Sequence, residues 1–474
     1  MTPDNPEPAR QIASARQEPT LRIGVILDQD ELVAVRLTLP GAPYRLTSMA
    51  APGAGAPSSA RVSAGPSQLT EPRASLTIRL TGSELLLELP AAALRASAVR
   101  LACPAPPPLE RGGGVLVEGV PAGRGFHWQK HVDQTLPGTL ELRPGRRGIV
   151  LINELPLEEY LAGVITAEMS SACPLEFLKA QCIVARSWLL AMTEPKHAGE
   201  GFDRCNDDCC QRYQGTGDLG ESTLAAVQAT RGRILRAPTG GVLDANYAKS
   251  CGGITETPWA VWGLDKPGIR PIVDAPPDAP ERRLYPVTDA NIDEYLDGAW
   301  LPTARCYCSP NVVAPSDIGR YLGRVDKPDD YFRWTVRYTR NELETLLRGH
   351  LSEPNELAEL CDLRVRARGA SGRAYAVETE WRDPRGAVVI RRIDGEYRIR
   401  QVLHRKFLYS SAFAVRTKRD AAGGLRTVTL RGAGWGHGVG MCQIGALGMA
   451  LTGENAEAIC AHYYPAATLA RLYL

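Results

Sequence analysis

The chain has 474 residues, 44% of them hydrophobic and 23% charged, with a net charge of +2. That length allows two or three domains of ordinary globular composition. The near-neutral balance excludes bulk electrostatic binding of nucleic acid, and without a run of about 18 apolar residues no transmembrane segment is expected.

Residues 1–20 are polar and Pro-containing and read as a disordered tail. They lack the apolar stretch of a secretory signal, which leaves a cytoplasmic placement open. Residues 21–125 read as an N-terminal β-rich module: LRIGVIL and ELVAVRLTL alternate apolar and polar side chains, the period of half-buried strands. An Ala/Gly/Pro/Ser-rich stretch at 48–75 interrupts them as a flexible loop. Strand patterns resume at SLTIRL, ELLLEL and GVLVEGV and continue through GTLELRP and GIVLIN.

The character changes at Leu155. Asn153 suits a helix cap and Pro156 a first helical turn. Leu157, Leu161, Val164 and Glu168 then follow at spacings of four, three and four, which sets one helical stripe. SSACP breaks this helix, and Pro174 starts a second with Glu176 at its positive end. ESTLAAVQATRG predicts a short helix closed by glycine, and RILRA and GVLDANYAKS predict strands. The segment 267–315 is loop-rich. FRWTVRYT reads as a strand and RNELETLLRGHL as a helix. DLRVRARG, YAVETEWRD, AVVIRRI and YRIR predict a small β unit. The end of the chain predicts a strand, a Gly-rich turn and one or two helices.

Four places carry chemistry. A carboxyl at the end of an apolar stripe is partly desolvated, which raises its pKa and suits Glu168 to general-acid work; the competing reading is a C-terminal helix glutamate tied to Arg or Lys. His197, Cys205, Cys209 and Cys210 offer an imidazole and three thiols within a short Gly-containing segment. Four such ligands suit a closed, structural Zn²⁺ site, against buried free thiols with a surface histidine or a Cys205–Cys210 disulfide. More broadly, adjacent Cys209 and Cys210, and Cys306 and Cys308 one residue apart, suit metal ligation or free thiols better than a secreted disulfide framework. In GAGWGHGVGMCQIGALGMA, alternate glycines let the backbone approach a ligand, and His437 and Gln443 could meet a sugar; the same glycines could equally serve a packed turn. Tyr247 and Ser250, before CGGITE, could face a groove or be a core tyrosine and a turn serine.

Together these segments resemble the SpoIID/LytB family, the stage II sporulation protein D and amidase-enhancer group. NELPLEEYLAGVITAEM, CPLEFLKAQCIVARSWLLAM, CQRYQG, the Tyr247–Glu256 turn, GWGHGVGMCQIGA and HYYP carry the likeness, in order from about Arg146 onward, and GRGFHWQK at 123–130 looks like a family lead-in. The resemblance implies an α+β fold with a β-rich SpoIID-like core and a short helical catalytic region. A catalytic core at 126–264 would be completed by 426–474, with a second α/β lobe at 265–425. It implies a lytic transglycosylase that cleaves peptidoglycan glycan strands to 1,6-anhydro ends with a single glutamate. The family's E-M-P motif falls on Glu168-Met169-Ser170, without the proline. Family zinc binding carries over to His197, Cys205 and Cys210, with Cys209 at the usual histidine. Tyr247 to Gly253 stands at a Y-H-S-x-S-G-G turn whose histidine is Ala248 here. The alternative within the family is a non-catalytic, peptidoglycan-binding enhancer of a cell-wall amidase. The implied placement is extracytoplasmic, at the cell wall.

Overall fold

The computed structural model describes residues 17–49, 67–89, 93–125, 129–191, 196–323, 327 and 330–474. Most of the tail expected at 1–20, the 50–66 part of the loop expected at 48–75, and residues 126–128 of the lead-in lie outside them. The fold is α+β, with more strand than helix.

Among the described residues, twelve strands precede the first α-helix: β1 (Thr20–Ile26), β2 (Ala34–Thr38), β3 (Arg45–Met49), β4 (Ser67–Leu69), β5 (Ser75–Thr81), β6 (Glu84–Glu88), β7 (Ala93–Ala96), β8 (Ala98–Ala102), β9 (Val115–Ala122), β10 (Lys130–Leu136), β11 (Thr139–Pro144) and β12 (Ile149–Pro156). One sheet runs β1-β12-β11-β8-β3-β4 and the other β10-β9-β2-β5-β6-β7. Their alternating residues, such as Leu21, Ile23, Leu37, Ile78, Leu101 and Leu142, are fully buried in one core. Strands on either side of residue 125 share both sheets, because β9 pairs with β10 and β8 with β11.

Asn153 does not cap a helix. It is a buried residue of β12, where Nδ2 donates to the Pro137 carbonyl at 2.6 Å and Oδ1 accepts from the Tyr213 hydroxyl at 2.8 Å. Helix α1 (Leu157–Glu168) begins after Pro156, and α2 (Leu175–Ala191) after Pro174. Helix α1 is buried on nearly every face, so the expected stripe is the visible part of a central helix. A buried ion pair joins the two helices. Arg186 Nη2 lies 2.6 Å from Glu158 Oε2, and Arg186 Nε 3.0 Å from Oε1. Glu158 also accepts from the Tyr473 hydroxyl at 2.7 Å and the Gly232 amide at 3.1 Å.

Next come β13 (Arg204–Cys205), laid parallel on β1, then α3 (Glu221–Ala229) and β14 (Arg233–Arg236). Of GVLDANYAKS only β15 (Tyr247–Ala248) is strand. Short helices α4 (Pro258–Trp262), α5 (Ile292–Asp297) and α6 (Pro315–Tyr321) punctuate the loop-rich part. A second core gathers Trp334, Leu343, Leu363, Trp381, Val402 and Phe413. It lies among β16 (Arg333–Thr339), α7 (Arg340–Arg348), β17 (Glu359–Arg368), β18 (Ala374–Arg382), β19 (Val388–Asp394), α8 (Glu396–Val402), β20 (Phe413–Arg419) and β21 (Leu425–Ala433). Here YRIR is helical rather than a strand. Gly395 turns the chain at φ +91°, and Ile399 and Val402, three apart, face inward while Tyr397 and Arg398 stay exposed.

The chain returns through β22 (Met441–Cys442), α9 (Gln443–Leu451), α10 (Ala456–Tyr463) and β23 (Thr468–Arg471), which pairs with β14. No described helix is long and apolar enough to cross a membrane.

Candidate functional site

Glu168 is the last residue of α1, and its side chain is half-buried. Lys249 Nζ donates to the Glu168 carbonyl oxygen at 2.9 Å, a cation at the negative end of the helix. The same ammonium meets Met169 Sδ at 3.4 Å, so the exit from α1 is held from the β15 side.

Strands β15 and β22 pair in parallel, Tyr247 beside Met441 and Ala248 beside Cys442. Their approach depends on Gly440, at φ +75°, where a Cβ would collide with the Asn246 carbonyl oxygen. This pair presents one donor to each Glu168 oxygen. The Tyr247 hydroxyl donates to Oε1 at 3.4 Å and Gln443 Nε2 to Oε2 at 3.4 Å. Burial, followed by the Glu168 charge, pushes the Tyr247 phenol well above its ordinary range, so it stays protonated as a donor.

Behind them lies a shell of amides. Gln211 Nε2 donates to the Tyr247 oxygen at 3.2 Å and to the Ala185 carbonyl at 3.2 Å, and its Oε1 accepts from the Tyr160 hydroxyl at 3.4 Å. Gln181 Oε1 accepts from Gln443 at 3.5 Å, while Gln181 Nε2 is buried without a partner.

Glu168, Tyr247 and Gln443 therefore meet. His437 and Ser250 make no hydrogen bond to Glu168. Half-buried His437 packs its ring on Trp262 with centroids 5.0 Å apart, and Nδ1 accepts from the Val439 amide at 3.0 Å. Burial, then the charges of Arg373, Arg400 and Lys266, lower its pKa to about 3, so it is neutral near pH 7. Ser250 is fully buried. Its backbone exchanges hydrogen bonds with Trp435 and its hydroxyl has no partner.

A second carboxyl lies in the field of Glu168. Asp208 is raised from its ordinary range, first by burial and, among the charges, by Glu168; it is ion-paired to Arg212. It lies in the cysteine-rich segment rather than on the helix, so helical spacing does not pair it with Glu168. Gln211 was visible inside CQRYQG, but its role only follows from the fold.

His197, Cys205, Cys209 and Cys210 converge, with donor atoms all within 4.8 Å of one another. Cys205 and Cys209 Sγ are 2.9 Å apart, and Cys209 Sγ is 3.7 Å from His197 Nε2. The other ring nitrogen, Nδ1, faces Glu200 at 3.1 Å, which orients the imidazole. Hydrogen bonds to Cys209 and Cys210 push His197 up to about 10, and hydrogen bonds from Cys205 and Cys209 hold the Cys210 thiol far below its ordinary value. This donor set could hold a metal ion. The loop is pinned to the sheets through Arg124, whose Nε lies 2.6 Å from Asp30 Oδ1 and whose Nη1 is 2.8 Å from Asn206 Oδ1; Asp207 accepts from the Gly123 and Arg124 amides. Gln211 follows directly, so the knot and the Glu168 site are neighbours along the chain.

The sequence family described as "Stage II sporulation protein", SpoIID, matches residues 145–236, which contain α1, α2, the knot and Gln211. Relatives extend the match over most of the chain. The stage II sporulation protein D of Bacillus subtilis is 23% identical over 66% of this chain and 74% of its own. Residues 145–236 thus carry a SpoIID domain, and most of the chain is similar to members of the SpoIID/LytB family. The amidase enhancer of Bacillus subtilis is 24% identical over 65% of this chain but only 40% of its own length. An uncharacterised protein of Brachyspira hyodysenteriae is 26% identical over 69% of this chain and 70% of its own. Residues 311–440 also match a domain of unknown function, DUF8618, which spans the second core.

Proposed function

We propose that this protein is a lytic transglycosylase that cleaves the glycan strands of peptidoglycan, with Glu168 as its single acid/base. The reading rests above all on the two donors, Tyr247 and Gln443, that converge on the two oxygens of the half-buried Glu168. In the first half of the reaction the Glu168 carboxyl gives its proton to the glycosidic oxygen as the bond to C1 breaks. The carboxylate left behind then takes the proton of the same sugar's C6 hydroxyl, and O6 bonds to C1. The products are a free hydroxyl end and a 1,6-anhydro end. No water enters, so no second carboxylate is needed as a base, in contrast to hydrolytic glycosidases. This agrees with Asp208 being committed to Arg212.

Tyr247 and Gln443 orient the carboxyl, and Gln211 holds Tyr247. Exposed Trp259 and Trp262 on α4, the latter against His437, offer apolar faces of the kind that sugar rings pack on. Ser250 would act from beneath, through the backbone of the turn. His197, Cys205, Cys209 and Cys210 would hold a structural Zn²⁺. Four protein donors leave no open position, so the ion would supply rigidity to the loop bearing Gln211 rather than chemistry. The substrate places the site of action outside the cytoplasm, at the cell wall.

The amidase-enhancer relative favours a second reading, in which the chain binds peptidoglycan and stimulates a cell-wall amidase. One experiment separates the two. Purified full-length chain is incubated with glycan strands stripped of stem peptides, and 1,6-anhydro ends are counted by mass spectrometry. The wild type should release them, and Glu168→Gln, folded by circular dichroism, should lose about 10²-fold or more of the rate. Equal rates would remove Glu168 from the chemistry. No anhydro ends from wild type, with amidase stimulation intact in both proteins, would establish the enhancer reading instead.

A further inference from the structure

A second group of sulfur ligands lies deep in the protein, assembled from four distant segments. Cys251 follows β15, Asp274 and Cys308 come from the loop-rich part, and Cys442 ends β22. One donor atom from each lies within 4.8 Å of all the others, and all four residues are buried. Cys251 Sγ is 3.1 Å from Asp274 Oδ2 and 3.7 Å from Cys308 Sγ. We propose that Cys251, Asp274, Cys308 and Cys442 form a metal site that holds a tetrahedral, thiolate-seeking cation, Zn²⁺, as a tie across the core.

Three observations beyond proximity carry this. The first is how the sulfurs are solvated. Cys442 Sγ accepts from the amides of Cys251 and Gly445, each at 3.2 Å, and Cys251 Sγ accepts from the Gly253 amide at 3.3 Å. Such amides are the outer hydrogen bonds that a metal-bound sulfur commonly accepts, and Cys442 sits at the N-terminus of α9, where the helix dipole favours negative charge.

The second is the carboxylate. Asp274 is 0% exposed. Its Oδ1 is taken by the Tyr463 hydroxyl at 2.7 Å and His462 Nε2 at 3.3 Å, which leaves Oδ2 turned toward the sulfurs. Beside three thiolates such a buried carboxylate would be costly unless a cation lay between them, and a ligating carboxylate is commonly held through its other oxygen in this way. The third is space. Gly445 stands where a Cβ would collide with Asp274 Oδ2 and the Tyr463 hydroxyl, so the backbone is kept bare for the carboxylate.

The donor set selects the ion. Three thiolates and one carboxylate suit Zn²⁺, whereas Mg²⁺ and Ca²⁺ prefer oxygen. All four positions come from the protein and none faces solvent, so the ion would be structural. It would fasten the β15–β22 pair from below, since Cys251 lies four residues after Tyr247 and Cys442 immediately precedes Gln443. Cys306, although buried nearby, is not among the four.

The test does not depend on glycan cleavage or on the outer knot. Full-length chain carrying His197→Ala and Cys209→Ala, which disable the outer cluster, is produced without added metal and assayed by elemental analysis. It should retain about one zinc per chain. Adding Cys308→Ser should reduce this to under about a tenth of an equivalent, while adding Cys306→Ser should leave it unchanged. X-ray absorption on the outer-cluster variant, whose inner ligands are all intact, should give about three sulfurs and one oxygen around the ion; this decides the matter should Cys308→Ser fail to fold. Less than about a tenth of an equivalent in the outer-cluster variant, retention in the Cys308→Ser protein, or an intact mass showing a Cys251–Cys308 disulfide would overturn the site.

Discussion

The two sulfur clusters are built in opposite ways. His197, Cys205, Cys209 and Cys210 fall within fourteen consecutive residues, and Cys209 is exposed. Cys251, Asp274, Cys308 and Cys442 are all buried, and Cys251 and Cys442 are 191 residues apart. The outer cluster closes a short loop and can come apart while the sheets and helices stay folded. The inner one draws together segments whose loop-closure cost is met only when the whole core forms. One is a clasp on a loop and the other a tie within the fold, although both neighbour the same glutamate through Gln211 on one side and Gln443 on the other.

The largest expected difference between them is kinetic. In metal-free native protein a bulky maleimide should label Cys209 at least about a thousand-fold faster than Cys251, Cys308 or Cys442. Those three open only with global unfolding, and roughly 4 kcal/mol of opening free energy gives that ratio. Peptide mapping of the labelled chain reads it directly, and comparable rates would mean that the inner cluster opens locally. The next difference is energetic. Asp274→Ala strands the Tyr463 hydroxyl inside the core, takes the carboxylate from half-buried His462 and should cost about 3 kcal/mol in urea unfolding. Cys209→Ser, on the surface, should cost under about 1 kcal/mol. Equal losses would mean that the two clusters are equally bound into the core.

The smallest effect concerns pH and separates the Gly-rich turn from both clusters. The His437 pKa is lowered to about 3 in the folded protein against an ordinary 6.5. Its contribution to stability is therefore complete above pH 6.5 and is lost as pH falls from there toward 3. At pH 5 the loss should be roughly 1–2 kcal/mol. His437→Gln should flatten that part of the stability curve while leaving metal content unchanged. An unaltered acid limb in the variant would assign the loss to other groups.

The same contrast explains what was legible in the sequence. The outer cluster could be read because its four donors are near neighbours in the chain, and α1 and α2 could be read because Pro156 and Pro174 mark their starts. The inner cluster could not, because only the fold brings Asp274 and Cys308 to Cys251 and Cys442; the close spacing of Cys306 and Cys308 was a partial signal, and only Cys308 joins the group. Asn153 carries the side chain of a helix cap, yet long-range pairing with Pro137 and Tyr213 keeps it in a strand. YRIR has the composition of a strand, but the turn at Gly395 and the inward faces of Ile399 and Val402 make it a helix. Glu168 was visible at its position on α1, whereas its donors arrive from 79 and 275 residues away.

The bond between Tyr473 and Glu158 has a consequence for how the protein is made. Synthesis runs from the N-terminus, so α1 and α2 emerge long before β23 and the residues that follow it. Until Tyr473 leaves the ribosome, Glu158 and Arg186 lack one of their partners and β14 lacks its neighbour. Helices made early are thus locked by a residue that follows Glu158 by 315 positions. Glu168, at the far end of α1, meets its two donors only once Tyr247 and Gln443 have also been made.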